Sequence, residues 1–261
     1  MLADAAGSIS LVPEAEKAPL TAARSSIFFF GKEYFPVANR QLQQSWRYLK
    51  SRQHGESVLP VIDMVKTIQQ ISKDGFYTGP LFKKKAENRL SLYIFLDQHG
   101  SMAAFESFGK ELIDTAMQSK VHSGLASYYF YNIPRQKKQQ NNYQLTNKEG
   151  SATFSTDKIF RDTDRKQRVV LIYSDAGAAR GSYNDERVSD TKAFIRYLNQ
   201  HCANVAWINP LPKHRWEDSS AIEISSVVPM YEASRSGFDG AMNALKGKVP
   251  VQNKSDVTSS I

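Results

Sequence analysis

The chain has 261 residues, 41% of them hydrophobic and 23% charged, with a formal net charge of +8. That length holds one full α/β domain plus a smaller attachment, and the composition is that of an ordinary globular protein rather than a disordered or fibrous one. No run approaches the roughly 18–20 apolar residues of a membrane span, no basic-then-apolar secretory signal is evident, and the single cysteine, Cys202, excludes an internal disulfide.

A cytoplasmic location is therefore the expectation. In chain order, residues 1–26 are rich in Ala, Ser, Pro and Glu, and 1–32 reads as a flexible tail. Residues 33–89 read as a helical lead-in. Leu42, Trp46 and Leu49 follow helical spacing, and Val58, Ile62, Val65, Ile68 and Ile71 mark a second apolar stripe. Pro60 suits the first turn of that second helix, and Gly75 with Gly79-Pro80 ends the region. A helical pair of this size cannot bury a core alone and is expected to pack on the domain that begins at Leu90. The lead-in also holds most of the basic surplus, with ten basic against five acidic residues, while 90–249 holds twenty against seventeen. Patches such as Arg47–Arg52 and Lys83–Lys85 suit an acidic protein or a nucleic acid, or are a solvated face.

From Leu90 to residue 249, strands and helices alternate. Residues 91–96 form a near-continuous apolar strand, as expected where both faces are covered. Phe105, Phe108, Leu112 and Ala116 give the next helix its inner face. Residues 126–131 read as a strand, 134–142 as a basic Gln/Asn-rich loop, and 143–146 and 151–154 as short strands. A buried strand comes next at 168–174, then a long helix marked by Val188, Thr191, Ile195, Leu198 and Cys202, then a strand at 203–208. Ala221, Ile224 and Val228 suggest a helix, 228–232 a last strand, and Phe238, Met242 and Leu245 a terminal helix before a second tail at 250–261. This order predicts a mostly parallel sheet with helices on both faces.

Two of the strands run straight into a carboxylate: LSLYIFLDQHGSM at 90–102 and VVLIYSDAG at 169–177. In open parallel sheets the functional crevice lies beyond the carboxyl ends of the strands. Asp97, Ser101 and Asp175 would supply hard oxygen ligands there, suited to Mg²⁺ with waters completing its octahedron. The plainer reading is that both aspartates cap the loops and helices that come after them.

These motifs resemble the metal-ion-dependent adhesion site of the von Willebrand factor A domain. Its first motif, Asp-x-Ser-x-Ser, is matched by Asp97, His99 and Ser101, and its last, Ser-Asp-Gly, by Ser174-Asp175-Ala176-Gly177. The family's intermediate threonine has Thr153, Ser155 and Thr156 as candidates, and the sequence does not choose among them. Over residues 34–247 the chain is similar to the CoxE-like bacterial branch, through Val205-Ala206-Trp207-Ile208-Asn209-Pro210 with Trp216 beyond it, the helical lead-in, the basic stretch before the first motif, and the segment around Met230. The resemblance implies a Rossmann-like α/β fold with one antiparallel edge strand. It also implies a non-enzymatic adaptor that binds a protein partner, beside a MoxR-type AAA+ ATPase or an associated effector subunit, in cofactor maturation or in defence.

His99 departs from the pattern. Three readings stand: a degenerate, metal-free site; Mg²⁺ held by Asp97, Ser101 and Asp175 with His99 displaced; or His99 as ligand to a transition metal. Near the site, His99, Arg180 and Trp216 are candidate partner contacts, with Trp216 also suited to packing and Arg180 to a solvated loop. Gly177–Gly181 lacks the spacing and Lys-Ser/Thr of a P-loop. His54, His122 and His201 show no metal-ligand spacing. His214 and Arg215 lie on a loop, and Cys202 suits a buried apolar position. Tyr128–Tyr131 with Arg135, Lys137 and Lys138 combine aromatic and basic side chains, as single-stranded nucleic-acid sites do. A nucleic-acid-associated role through 33–89 and 134–142 is accordingly the second reading, and a metal-dependent hydrolase, lacking an evident second base, the weaker third.

Overall fold

The computed structural model describes residues 36–49, 60–84, 90–119, 123–137 and 142–248. Both expected tails lie outside these residues, as do His54, His122, Lys138 and parts of the two basic patches. The chain runs α1 (Asn39–Tyr48), β1 (Pro60–Ile62), α2 (Met64–Asp74), β2 (Phe82–Lys84), β3 (Ser91–Asp97), α3 (Glu106–Ser119), β4 (Gly124–Phe130), β5 (Arg135–Lys137), β6 (Asn142–Thr146), β7 (Thr153–Ser155), α4 (Thr156–Phe160), β8 (Arg168–Tyr173), α5 (Asp185–His201), β9 (Asn204–Asn209), α6 (Ser220–Ser225), β10 (Met230–Glu232) and α7 (Arg235–Leu245).

The main sheet has the order β10-β9-β8-β3-β4-β6-β5, with β7 pairing β6 on its other side. From β10 to β4 every pairing is parallel, and β6 runs antiparallel to β4, β5 and β7. β3 lies at the centre because its residues from Leu92 to Asp97 are all buried. Alternation divides them between two cores. Leu92, Ile94 and Leu96 join the core under α1, α3 and α7, while Tyr93 and Phe95 join the one under α4, α5 and α6. β8 divides likewise, with Leu171 and Tyr173 on the first face and Val170 and Ile172 on the second. The molecule is thus an α/β structure with a mostly parallel sheet between two helical layers, as the alternation predicted.

The lead-in is only half as expected. α1 belongs to the main core: Leu42 and Trp46 are buried, the Trp46 indole N–H donates to Thr115 Oγ1 at 3.0 Å, and Ser45 donates to Asp239 at 2.7 Å. The second stripe is a correction. Pro60–Ile62 is a strand paired antiparallel with Phe82–Lys84, rather than the first turn of a helix. α2 starts after Asp63, whose side chain accepts from the Lys66 N–H at 3.2 Å. β-branched Val61 and Ile62 favour the extended ladder, and the aspartate cap sets where the helix begins. α2 buries only Thr67 of its residues, and Val65 and Ile68 remain exposed.

Candidate functional site

The chain leaves β3 toward β4 on one side and leaves β8 toward β9 on the other. β3 and β8 are therefore the topological switch point, where an open sheet forms its crevice. Asp97 ends β3 and Ser174-Asp175 come directly after β8, so the two motifs meet here. The Ser174 hydroxyl donates to Asp97 Oδ2 at 2.7 Å, and the Asn132 backbone N–H donates to Oδ1 at 2.9 Å. Asn132 has φ of 58°, a left-handed conformation that asparagine tolerates better than most residues. Burial pushes the Asp97 carboxyl up to about 6; the two hydrogen bonds oppose that rise, Asp175 adds to it, and Arg187 offsets part of it.

Asp175 is 1% exposed and organises its own loop. Its Oδ1 accepts from the Gly177 N–H at 2.9 Å and its Oδ2 from the Ala179 N–H at 3.4 Å. This is the capping arrangement that the sequence allowed. The Val205–Pro210 segment pins the loop from the next strand. The Trp207 indole donates to the Ser174 carbonyl at 2.8 Å, and Asn209 Nδ2 donates to the Asp175 carbonyl at 2.9 Å.

His99 contacts Glu106 rather than either aspartate. Its backbone sits at φ 65°, its N–H donates to Glu106 Oε1 at 3.3 Å, and its ring Nδ1 lies 3.7 Å from the same oxygen. The exposed ring stands between two depressions. One, of about 300 Å³, is lined by Asp97, Glu106, Ser107, Lys110 and Lys148; the other, of about 370 Å³, by Tyr131, Arg135, Gly150 and Thr153. Ser101 lies in the 3₁₀ turn Gly100–Phe105 that leads into α3. Among the three candidates for the intermediate hydroxyl, Thr153 shares the second depression with His99. Thr156 is buried, with Oγ1 2.7 Å from the Tyr197 hydroxyl and accepting the Tyr143 N–H. Ser155 immediately precedes α4.

Two arginines complete the site. Arg180, in the 3₁₀ turn Ala178–Arg180, and Arg187, in the first turns of α5, each place Nη2 3.4 Å from Asn132 Oδ1. Sequence reasoning singled out Arg180 but missed Arg187 and Asn132. It quoted Ser174 only as part of a motif. An asparagine before Ile133-Pro134 at the end of a strand was the one local hint, because such a position invites a left-handed turn.

Trp216 is corrected as a partner contact: it is 2% exposed and its indole donates to the Leu211 carbonyl at 3.1 Å, so it is a packing anchor. Of the four clustered aromatics, Phe130 is buried, Tyr128 packs edge-on against Phe95 and Phe154, and Tyr131 is exposed. Cys202 is buried, and burial pushes its thiol up to about 12.

Among the described residues no three His, Cys, Asp or Glu side chains gather to ligate a metal ion. Asp97 and Asp175 are both engaged in hydrogen bonds within the fold, each oxygen accepting one, and a guanidinium sits close enough to act on Asp97. A fixed positive charge beside these carboxylates opposes a dication. Nor does His99 join the two aspartates in a ligand cluster.

No protein-family model matches the chain, and no curated protein matches it. No helix among the described residues is long and apolar enough to cross a membrane.

Proposed function

We propose that the chain is a von Willebrand factor A-type module of the CoxE-like branch, with a degenerate adhesion site, that binds a protein partner through the carboxyl edge of its sheet. It acts without catalysis, as an adaptor in a MoxR-type AAA+ ATPase-linked assembly, in maturation or defence. The observation that carries the reading is the Ser174–Asp97 hydrogen bond at the switch point, which joins the two strand-end motifs into one face. The antiparallel strand beyond β4 agrees with it, as does the use of Trp207 and Asn209 to pin the second motif's loop.

The test is reconstitution with a MoxR-type AAA+ ATPase, using size-exclusion chromatography with light scattering. Wild type should co-elute with the ATPase. Thr153→Trp, which blocks the exposed depression beside His99, should abolish co-elution. Lys248→Glu should leave it intact, because Gly247 beside it packs on Asn204 at the amino edge of β9. Absence of a wild-type complex, or one indifferent to Thr153→Trp, would reject the reading.

A further inference from the structure

We propose that Arg180 and Arg187 form a metal-independent receptor for an acidic side chain of the partner protein. This rests on the reading that the strand-end face is the binding face. The two guanidiniums converge on one neutral acceptor, Asn132 Oδ1, at 3.4 Å each. Among the described residues neither has a carboxylate within ion-pair distance; the pairs present there are Lys83–Asp63, His99–Glu106 and Lys192–Glu223. Two like charges on a single amide oxygen repel each other, and each guanidinium carries further N–H donors beyond the Nη2 that reaches Asn132. A bridging anion removes the repulsion and uses those donors.

The backbone around the arginines is shaped to hold them. A Cβ on Gly177 would lie 2.7 Å from Arg187 Nη1, and one on Gly100 would lie 3.7 Å from Arg180 Nη2 and 3.5 Å from the Tyr131 ring. Both glycines have positive φ, so a side chain at either would strain the turn, and at Gly177 it would also crowd the Arg187 guanidinium. Asn132 is the bracket. Its N–H holds Asp97 and its side chain holds both arginines, which couples the receptor to the two strand-end motifs.

The chemistry favours a carboxylate. Its planar pair of oxygens matches the guanidinium fork. Asp97, close enough for Arg187 to act on it, would repel a doubly charged phosphate more strongly than a singly charged carboxylate. The fixed cations thus supply the positive charge that a metal would otherwise bring to this edge.

The experiment tracks the side-chain Nε–Hε signals of Arg180 and Arg187 by NMR in the presence of EDTA. Three otherwise identical peptides are titrated, carrying one glutamate, glutamine or phosphoserine. The glutamate peptide should shift both signals saturably without added metal, and the glutamine peptide should not. Arg180→Gln with Arg187→Gln should weaken binding roughly tenfold or more, as expected for the loss of charge-assisted bonds. Arg180→Lys, which keeps the charge but loses the fork, should fall between. An unchanged backbone spectrum in each variant shows that the fold is retained. Silence of both arginine signals, a requirement for Mg²⁺, or tighter binding of the phosphoserine peptide would overturn the proposal. Loss of ATPase co-elution in wild type alone would reject the adaptor role and leave the receptor to be judged by the titration. Co-elution that survives the double arginine substitution would reject the receptor and leave the adaptor standing.

Discussion

Asp97 shows how one buried side chain links the site to stability. Its carboxyl is raised from 3.8 to about 6 in the folded protein. Between those values the folded chain therefore binds a proton that the unfolded chain has released. The stabilisation is fully present below about pH 4 and is lost as pH rises through about 6. Asp97→Asn should stabilise the protein at pH 7.5 by about 1–3 kcal/mol. The amide oxygen can still accept from the Asn132 N–H, and the amide nitrogen can donate to the Ser174 hydroxyl. At pH 4 the gain should vanish. Urea denaturation of both proteins at the two pH values checks this, and a variant less stable than wild type at pH 7.5 would contradict it. Asp97 itself was legible because an apolar strand runs straight into it. Asn132 was not: it lies 35 residues away and reaches Asp97 because β4 pairs β3 in the register that sets Phe130 against Asp97.

At the scale of elements, α1 and α2 make the clearest contrast. Both carry apolar residues at helical spacing, and both were expected to pack on the main domain. Leu42 of α1 is 0% exposed, whereas Ile68 of α2 is 56% exposed. Leu42→Ala should cost about 2–4 kcal/mol, as removing a buried leucine from a packed core does. Ile68→Ala should change stability by no more than about 0.5 kcal/mol. Thermal or urea unfolding of the two variants measures the difference, and equal losses would mean that α2 is buried after all. The periodicity of a segment states which of its residues share a face. It does not state whether another element covers that face, because that depends on contacts far away in the chain. The same limit explains Pro60–Ile62, whose partner strand lies beyond α2.

At the scale of the whole molecule, sheet order places the chemistry. The switch between β3 and β8 brings residues 97, 132, 174, 180 and 187 to one edge, and the charges that meet there include arginines as well as aspartates. A ligand that binds only the folded state must raise its stability. If the guanidiniums stand in for a metal, as proposed, millimolar MgCl₂ or EDTA should move the thermal unfolding midpoint by less than about 1 °C, since no bound dication would then be linked to folding. Differential scanning fluorimetry reads this directly. A saturable rise with Mg²⁺ that Asp175→Ala removes would show that the edge takes the cation.

The local pattern of the chain was enough to identify the long buried strands, the faces they present and the two aspartates, because alternation and strand-end composition are properties of consecutive residues. It also exposed His99 as out of place in the motif it otherwise matches. It missed β1 and β2, read as helical, and β5, Arg135–Lys137, read as part of the loop 134–142, because short polar or edge strands are defined by their partners. Three things required the folded arrangement: the contact of His99 with Glu106, the burial of Trp216, and the meeting of Arg180 and Arg187 on Asn132. Each depends on which loops share an edge, and that is set by strand order and register rather than by any short stretch of sequence.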